Sequence, residues 1–127
     1  MTVTAAQWRK LACALPEAEE KSHFEQPDFR VRNKIFAGMS PDGKQGTLKC
    51  SPEFQAMLLG AKPEVFTPAA GAWGRLGWTH VVLAKLELAR APELLLEAWR
   101  LVAPKKLVAA QSGVQQPPAA KKKLKRK

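Results

Sequence analysis

Residues 28–50 read DFRVRNKIFAGMSPDGKQGTLKC, and the parsing of this stretch decides the architecture of the chain. Apolar and charged residues alternate through its first half, the two-residue period of a strand with one covered face. The alternation places Phe29, Val31 and Ile35 on one side and Arg30, Arg32 and Lys34 on the other. Asn33 marks a bend or bulge that splits the stretch into two strands. Pro41-Asp42-Gly43 then supplies a turn, and TLKCS returns with Leu48 and Cys50 on one side. Upstream, AEEKSHFE from Ala18 reads as a further strand ending near Gln26-Pro27. Residues 18–51 are therefore expected to form an antiparallel meander.

Helical signals flank the meander. Thr4 and Gln7 have the spacing of a capping box, in which hydroxyl and amide each satisfy a free backbone N–H. Trp8, Leu11, Ala12 and Leu15 follow on one face, so the pattern predicts a helix over about residues 5–15, closed by Pro16. Ser51-Pro52-Glu53 opens a second helix, with Phe54, Met57 and Leu58 as its buried face and Gly60 near its stop. Residues 60–77, rich in Gly, Ala and Pro, read as a long ordered connection. WTHVVLAKLEL from Trp78 is a strand whose Val81-Val82-Leu83 run predicts burial on both faces. Ala91-Pro92-Glu93 opens a last helix with Leu95, Ala98, Trp99 and Val102 along one side, ending before Pro104. The expected fold class is α+β, a two-layer structure of about five antiparallel strands packed with three helices.

Charge is unevenly distributed along the 127 residues, whose formal net charge is +10. Eight of the 21 basic residues fall from Lys105 onward, with no acidic residue among them. That leaves 13 against all 11 acidic residues in 1–104, a near-neutral body of net +2. The expected organisation is one domain over residues 1–107 and a disordered basic tail over 108–127, where Pro-Pro precedes six cations and the apolar repeat stops. Two cysteines, Cys13 and Cys50, far apart in sequence, suit a reducing compartment. Arg9, Lys10 and Glu17 interrupt any leader-like apolar run, and no apolar run approaches the roughly 18 residues that would span a membrane.

Four stretches taken in order, LPEAEEKSHFEQPDFRVRNKIFAGM, LKCSPEFQAMLL, PEVFTPAAGAWGRLGWTHVVL and LLEAWRLVAPKKL, resemble the MmcQ/YjbR-like family over about residues 5–107. The resemblance implies a fold similar to secretion-chaperone-like domains. It also implies a DNA-binding role in a bacterial cytosol, with nucleoid association, and brings no catalytic motif. The Lys-rich tail lies outside the matched region.

Among candidate residues, Arg30, Arg32 and Lys34 at alternate strand positions repeat every ~6.6–7 Å, close to the phosphate spacing of about 7 Å along one DNA strand. Two readings stand: phosphate contact, or a solvated sheet face balanced by Glu19, Glu25 or Asp28. WGRLGW, residues 73–78, raises a similar choice. Gly74 and Gly77 call for positive φ or close backbone approach. Trp73 and Trp78 then bury against the last helix, with Arg75 stacked on a ring or bonded to loop carbonyls. The functional version makes this loop a pocket rim with Arg75 as an anion contact. The structural corner is the preferred reading.

His23 and His80 have no partner at metal-ligand spacing, the cysteines have no evident activating base, and no nucleotide-binding or hydrolase motif occurs. The expectation is a non-enzymatic module without metal or cofactor, with DNA or RNA as partner and no membrane association. Lys121, Lys122, Lys123, Lys125, Arg126 and Lys127 supply sequence-nonspecific affinity by releasing counterions. Arg30, Arg32 and Lys34, with Lys49 and Arg75, orient the duplex. The alternative is a protein- or small-ligand-binding domain in which the Trp73–Trp78 loop borders the pocket and the tail is incidental.

Overall fold

The computed structural model describes residues 1–23 and 26–115 of the chain. Helix α1, Ala5–Cys13, starts where the capping box puts it: the Gln7 N–H donates to Thr4 Oγ1 at 3.2 Å, and the Thr4 N–H donates to Gln7 Oε1 at 2.9 Å. The meander follows as β1 Ala18–His23, β2 Gln26–Val31, β3 Lys34–Met39 and β4 Gln45–Lys49. Helix α2, Pro52–Ala61, begins with Ser51 Oγ accepting from the Phe54 N–H. Strand β5 Phe66–Pro68, helix α3 Ala72–Arg75, strand β6 Trp78–Val82, helix α4 Ala91–Val102 and helix α5 Lys105–Gln115 complete the order. The six strands of the described residues form one sheet in the order β1-β2-β3-β4-β6-β5, every pair antiparallel.

The fold class is α+β as expected, with six strands among the described residues where about five were expected and five α-helices where three were. The additions arise mostly from residues 60–77. This stretch is not a plain connection: β5 pairs Phe66 with Val81, and α3 forms a single turn before Gly77. The strand expected from Trp78 stops at Val82, since Leu83–Lys85 and Leu88–Arg90 are 3₁₀ turns. Val82 is half-buried between the buried Val81 and Leu83, so β6 is covered on one face only. Met57 also departs from expectation, being 54% exposed while Leu58 is buried. Helix α5 crosses the expected boundary at residue 107 and leans Leu107 and Val108 against the core. From residue 116 onward, the expected tail lies outside the described residues.

The 28–39 stretch is rearranged by two local features. Arg32 and Asn33 have φ of 51° and 68°, so these two residues make the hairpin turn, with the paired positive φ values of a type I′ turn. Between β2 and β3 the register then slips: Phe29 faces Ala37, but Arg30 faces Ile35, leaving Phe36 as the extra residue of a bulge. Directly opposed residues share a face, so Ile35 joins Arg30 on the side away from the core. Phe36 takes the core position expected for Ile35 and is fully buried. One inserted residue suffices to reverse the side for everything beyond it.

Helices α1 and α4 cover one face of the sheet, α4 lying on β3 and β4 and α1 on α4 and β1. The core between them holds Trp8, Phe29, Val31, Phe36, Leu48, Val81, Leu94, Leu95 and Trp99. Both buried indoles satisfy their N–H groups, Trp8 on Gly38 O at 3.0 Å and Trp99 on Pro16 O at 2.9 Å. These bonds tie the two helices to the strand and turn beneath them.

Candidate functional site

The sheet face away from α1 and α4 is built of the alternate residues that do not enter the core. The pairing sets Lys21, Asp28, Gly38, Thr47, His80 and Thr67 in one row across the strands. Arg30 and Ile35 pair in the next row toward the hairpin tip, and Lys49 and Trp78 pair on that same side of the row. A cleft of about 560 Å³ opens over this face. Ile35, Gly38, Thr47 and His80 form its floor, Pro27, Asp28 and Arg30 one side, and Trp73 and Trp78 the other.

The tryptophan side depends on backbone packing. At Gly77, φ is 103°, and a Cβ there would lie 1.8 Å from Cys50 O; at Gly74 it would lie 2.2 Å from Ala69 O. Gln55 of α2 braces the same corner, its Nε2 lying 3.1 Å from each of Gly74 O, Trp78 O and Thr79 Oγ1. So held, Trp73 and Trp78 meet edge to face, centroids 6.2 Å apart and planes 70° apart. Trp73 remains 63% exposed. The preferred corner reading of WGRLGW and its pocket-rim alternative therefore describe the same segment. The indoles do not bury against the last helix as expected, because α4 covers the opposite face. The cation over Trp78 is Lys49, its Nζ 5.2 Å from the ring centroid, in place of the expected Arg75.

Arg30 closes the other side. Its Nε and Nη2 donate to Asp28 Oδ1 and Oδ2 at 2.7 and 3.2 Å, and Nη1 donates to Asn33 Oδ1 at 3.1 Å. The pair is largely shielded, with side chains 19% and 11% exposed. The hydrogen bonds to Asp28 push the Arg30 guanidinium further above its already high range. Burial of His80 in the floor pushes its pKa down, leaving a neutral imidazole at pH 7 with Nδ1 3.5 Å from Thr47 Oγ1.

The expected stripe of Arg30, Arg32 and Lys34 is not a continuous face. Only Arg30 lies on the open sheet face; Arg32 stands in the turn, and Lys34 follows it opposite Val31. Arg32 forks onto Glu17, whose carboxyl that bond holds below its ordinary range. Asp28 was an expected counter-charge, whereas Glu17 was not. Lys34 and Arg75 are exposed, Lys49 is half-exposed, and none of the three makes an ion pair among the described residues. The cations Lys121, Lys122, Lys123, Lys125, Arg126 and Lys127 lie outside the described residues.

Ile35, Gly38, Thr47 and His80 went unassigned to the cleft in the sequence, as did Gln55 to the corner it braces. Small and polar residues between core positions are a visible signal, but their alignment into one row depends on the Phe36 bulge. Burial raises the pKa of both thiols, Cys50 buried and Cys13 exposed, so neither is primed as a nucleophile. Among the described residues, no group of three or more His, Cys, Asp or Glu is placed to hold a metal. No helix among them is long and apolar enough to cross a membrane.

The YjbR family model matches residues 13–101. The chain is also similar to a crystal structure, the Deinococcus radiodurans protein DR2400 with its DUF419 domain, at 24% identity and a TM-score of 0.71. The likeness covers 87% of this chain and 86% of that one, and at this identity it speaks for the fold. No curated protein matches the chain.

Proposed function

The chain belongs to the YjbR family, and from there we propose that it is a non-catalytic module that associates with DNA by contact with the phosphate backbone. The observation that carries this reading is the six cations within the last seven residues, which supply +6 of the net charge of +10 and leave residues 1–120 at +4. Neutralising phosphates with such a run releases condensed counterions, a sequence-independent gain that weakens steeply with salt. The folded body contributes Lys34, Lys49 and Arg75, while Arg30 and Arg32 are already neutralised by Asp28 and Glu17. Base reading is not part of the proposal, since α2 and α4 pack through their apolar sides and offer no basic face to a groove. Fluorescence anisotropy with a labelled duplex tests it, comparing the natural chain with one whose last six cations are replaced by Gln. Equal affinity of the two at low salt overturns the proposal.

A second reading rests on a separate observation, the cleft between Arg30 and the Trp73–Trp78 pair. Its volume lies within the roughly 300–1,000 Å³ common for small-molecule sites, and its polar groups are few. In this reading the open sheet face binds a small ligand, independently of the C-terminal cations.

A further inference from the structure

We infer that the cleft on the open sheet face accepts an uncharged, planar heteroaromatic ring with a carbonyl or ring-nitrogen edge, the chemistry of a nucleobase. This rests on the second reading above and names its ligand class. Three features of the cleft converge on that chemistry.

The first is shape. The floor is pleated sheet, and at its middle Gly38 has no side chain, so a flat group can lie against the backbone between Ile35 and Thr47. A Cβ built there meets nothing closer than Pro27 O at 3.4 Å and Thr47 Cβ at 4.0 Å, so the space belongs to the cleft and not to the core. The second is the aromatic wall. Trp73 and Trp78 meet at 70°, so a ring entering between floor and wall finds a π-face from one indole and an edge from the other. Trp73 is 63% exposed, and covering it would remove a large apolar surface from water.

The third is charge. Asp28 and Arg30 are the two charged residues lining the cleft among the described residues, and they cancel through two hydrogen bonds. His80 adds no charge at pH 7. Within that lining a charged ligand would therefore find no excess counter-charge, Lys49 over the Trp78 ring lying outside it, whereas a neutral polar edge would find donors and acceptors. Arg30 has five N–H groups, of which three are engaged. The Thr47 hydroxyl and the His80 imidazole add a donor and an acceptor each.

The test uses the full chain, with thymidine as probe and the indole N–H signals in ¹H–¹⁵N spectra as readout. Trp73 and Trp78 signals are expected to move, while Trp99, buried and bonded to Pro16, stays fixed. Gly38→Leu, which fills the floor, is expected to weaken binding at least tenfold. Trp73→Ala, at an exposed position that leaves folding intact, is expected to weaken it about tenfold, the scale of losing one stacked base. An oligothymidylate binding more tightly than thymidine in a Gly38-dependent manner identifies a strand as the source of the ring; equal affinities identify a free nucleoside. Benzoate binding in a Gly38-dependent manner without thymidine binding overturns this inference and leaves a ligand cleft. Spectra unmoved by either probe overturn both.

Discussion

The carbonyl oxygen of Cys50 occupies the place where residue 77 would carry a side chain: a Cβ built on Gly77 falls 1.8 Å from it. The same two residues are joined by a hydrogen bond from the Cys50 N–H to Gly77 O at 3.0 Å. The end of β4 is thus pressed against the turn into β6, and φ of 103° completes the demand for glycine. Gly77→Ala is expected to cost about 3 kcal/mol or more in chemical denaturation, through strain and backbone displacement together. Gly60→Ala is the control. No atom lies within 4 Å of its Cβ position, in the last turn of α2, so that change is expected to stabilise by roughly 0.5–1 kcal/mol.

The opposite fates of two neighbours, Ile35 and Phe36, can be tested by truncating each in turn. Phe36→Ala empties a fully buried site and is expected to cost about 3–5 kcal/mol. Ile35→Ala opens the half-buried cleft floor, and its cost should be well below that of Phe36→Ala. Urea unfolding of the two variants measures the difference. Equal costs would place both side chains in the core and overturn the pairing of Ile35 with Arg30 on the open face.

DNA affinity should be indifferent to the arginines and sensitive to the tail. The double change Arg30→Ala with Arg32→Ala is expected to shift duplex affinity by less than twofold, because each guanidinium already forks onto a carboxylate. Replacing the last six cations by Gln should lower the slope of log K against log salt by about 5. Anisotropy titrations at several salt concentrations give both numbers. A large loss from the arginine pair would mean that DNA breaks those ion pairs on binding.

His80 gives the fold a pH dependence of definite sign. Burial lowers its pKa in the folded state, so the unfolded chain takes up the proton more readily. Stability from this group is complete above the ordinary histidine range near pH 6.5. It is lost as pH falls through that range toward the folded value. His80→Gln is expected to flatten the part of the stability curve between pH 7 and 5 that His80 causes. His23 contributes equally to both proteins, so the difference between their thermal melts isolates His80.

Helices α1, α2 and α4 were legible in the sequence because their signals are local. Thr4 with Gln7, and Ser51 with Pro52, announce helix starts within a single turn of chain. The meander was legible from period and turn residues, but its faces were not. Arg32 and Asn33 occupy left-handed backbone with side chains that tolerate it poorly or moderately, and the turn is held by the pairing of β2 with β3 and by bonds from Arg30 to Asn33 and from Arg32 to Glu17. That turn sets Ile35 opposite Arg30, so alternation read straight through it assigned Ile35 to the wrong side, and the Phe36 bulge, likewise a property of two strands together, then resets Ala37 and Gly38. The tryptophan corner was legible from its glycines, whereas the cleft opposite it required knowing that Asp28, Gly38, Thr47 and His80 share a row.

Covering a sheet on one side only divides the labour of each strand between odd and even positions. One set is committed to holding the molecule together; the other can be rewritten with little penalty, residue by residue. Ile35, Thr47 and Trp73 are such positions, and a lineage exploring new partners could revise them while Phe36, Leu48 and Val81 stay as they are. Divergent members of the same architecture can then recognise unlike molecules on an unchanged frame.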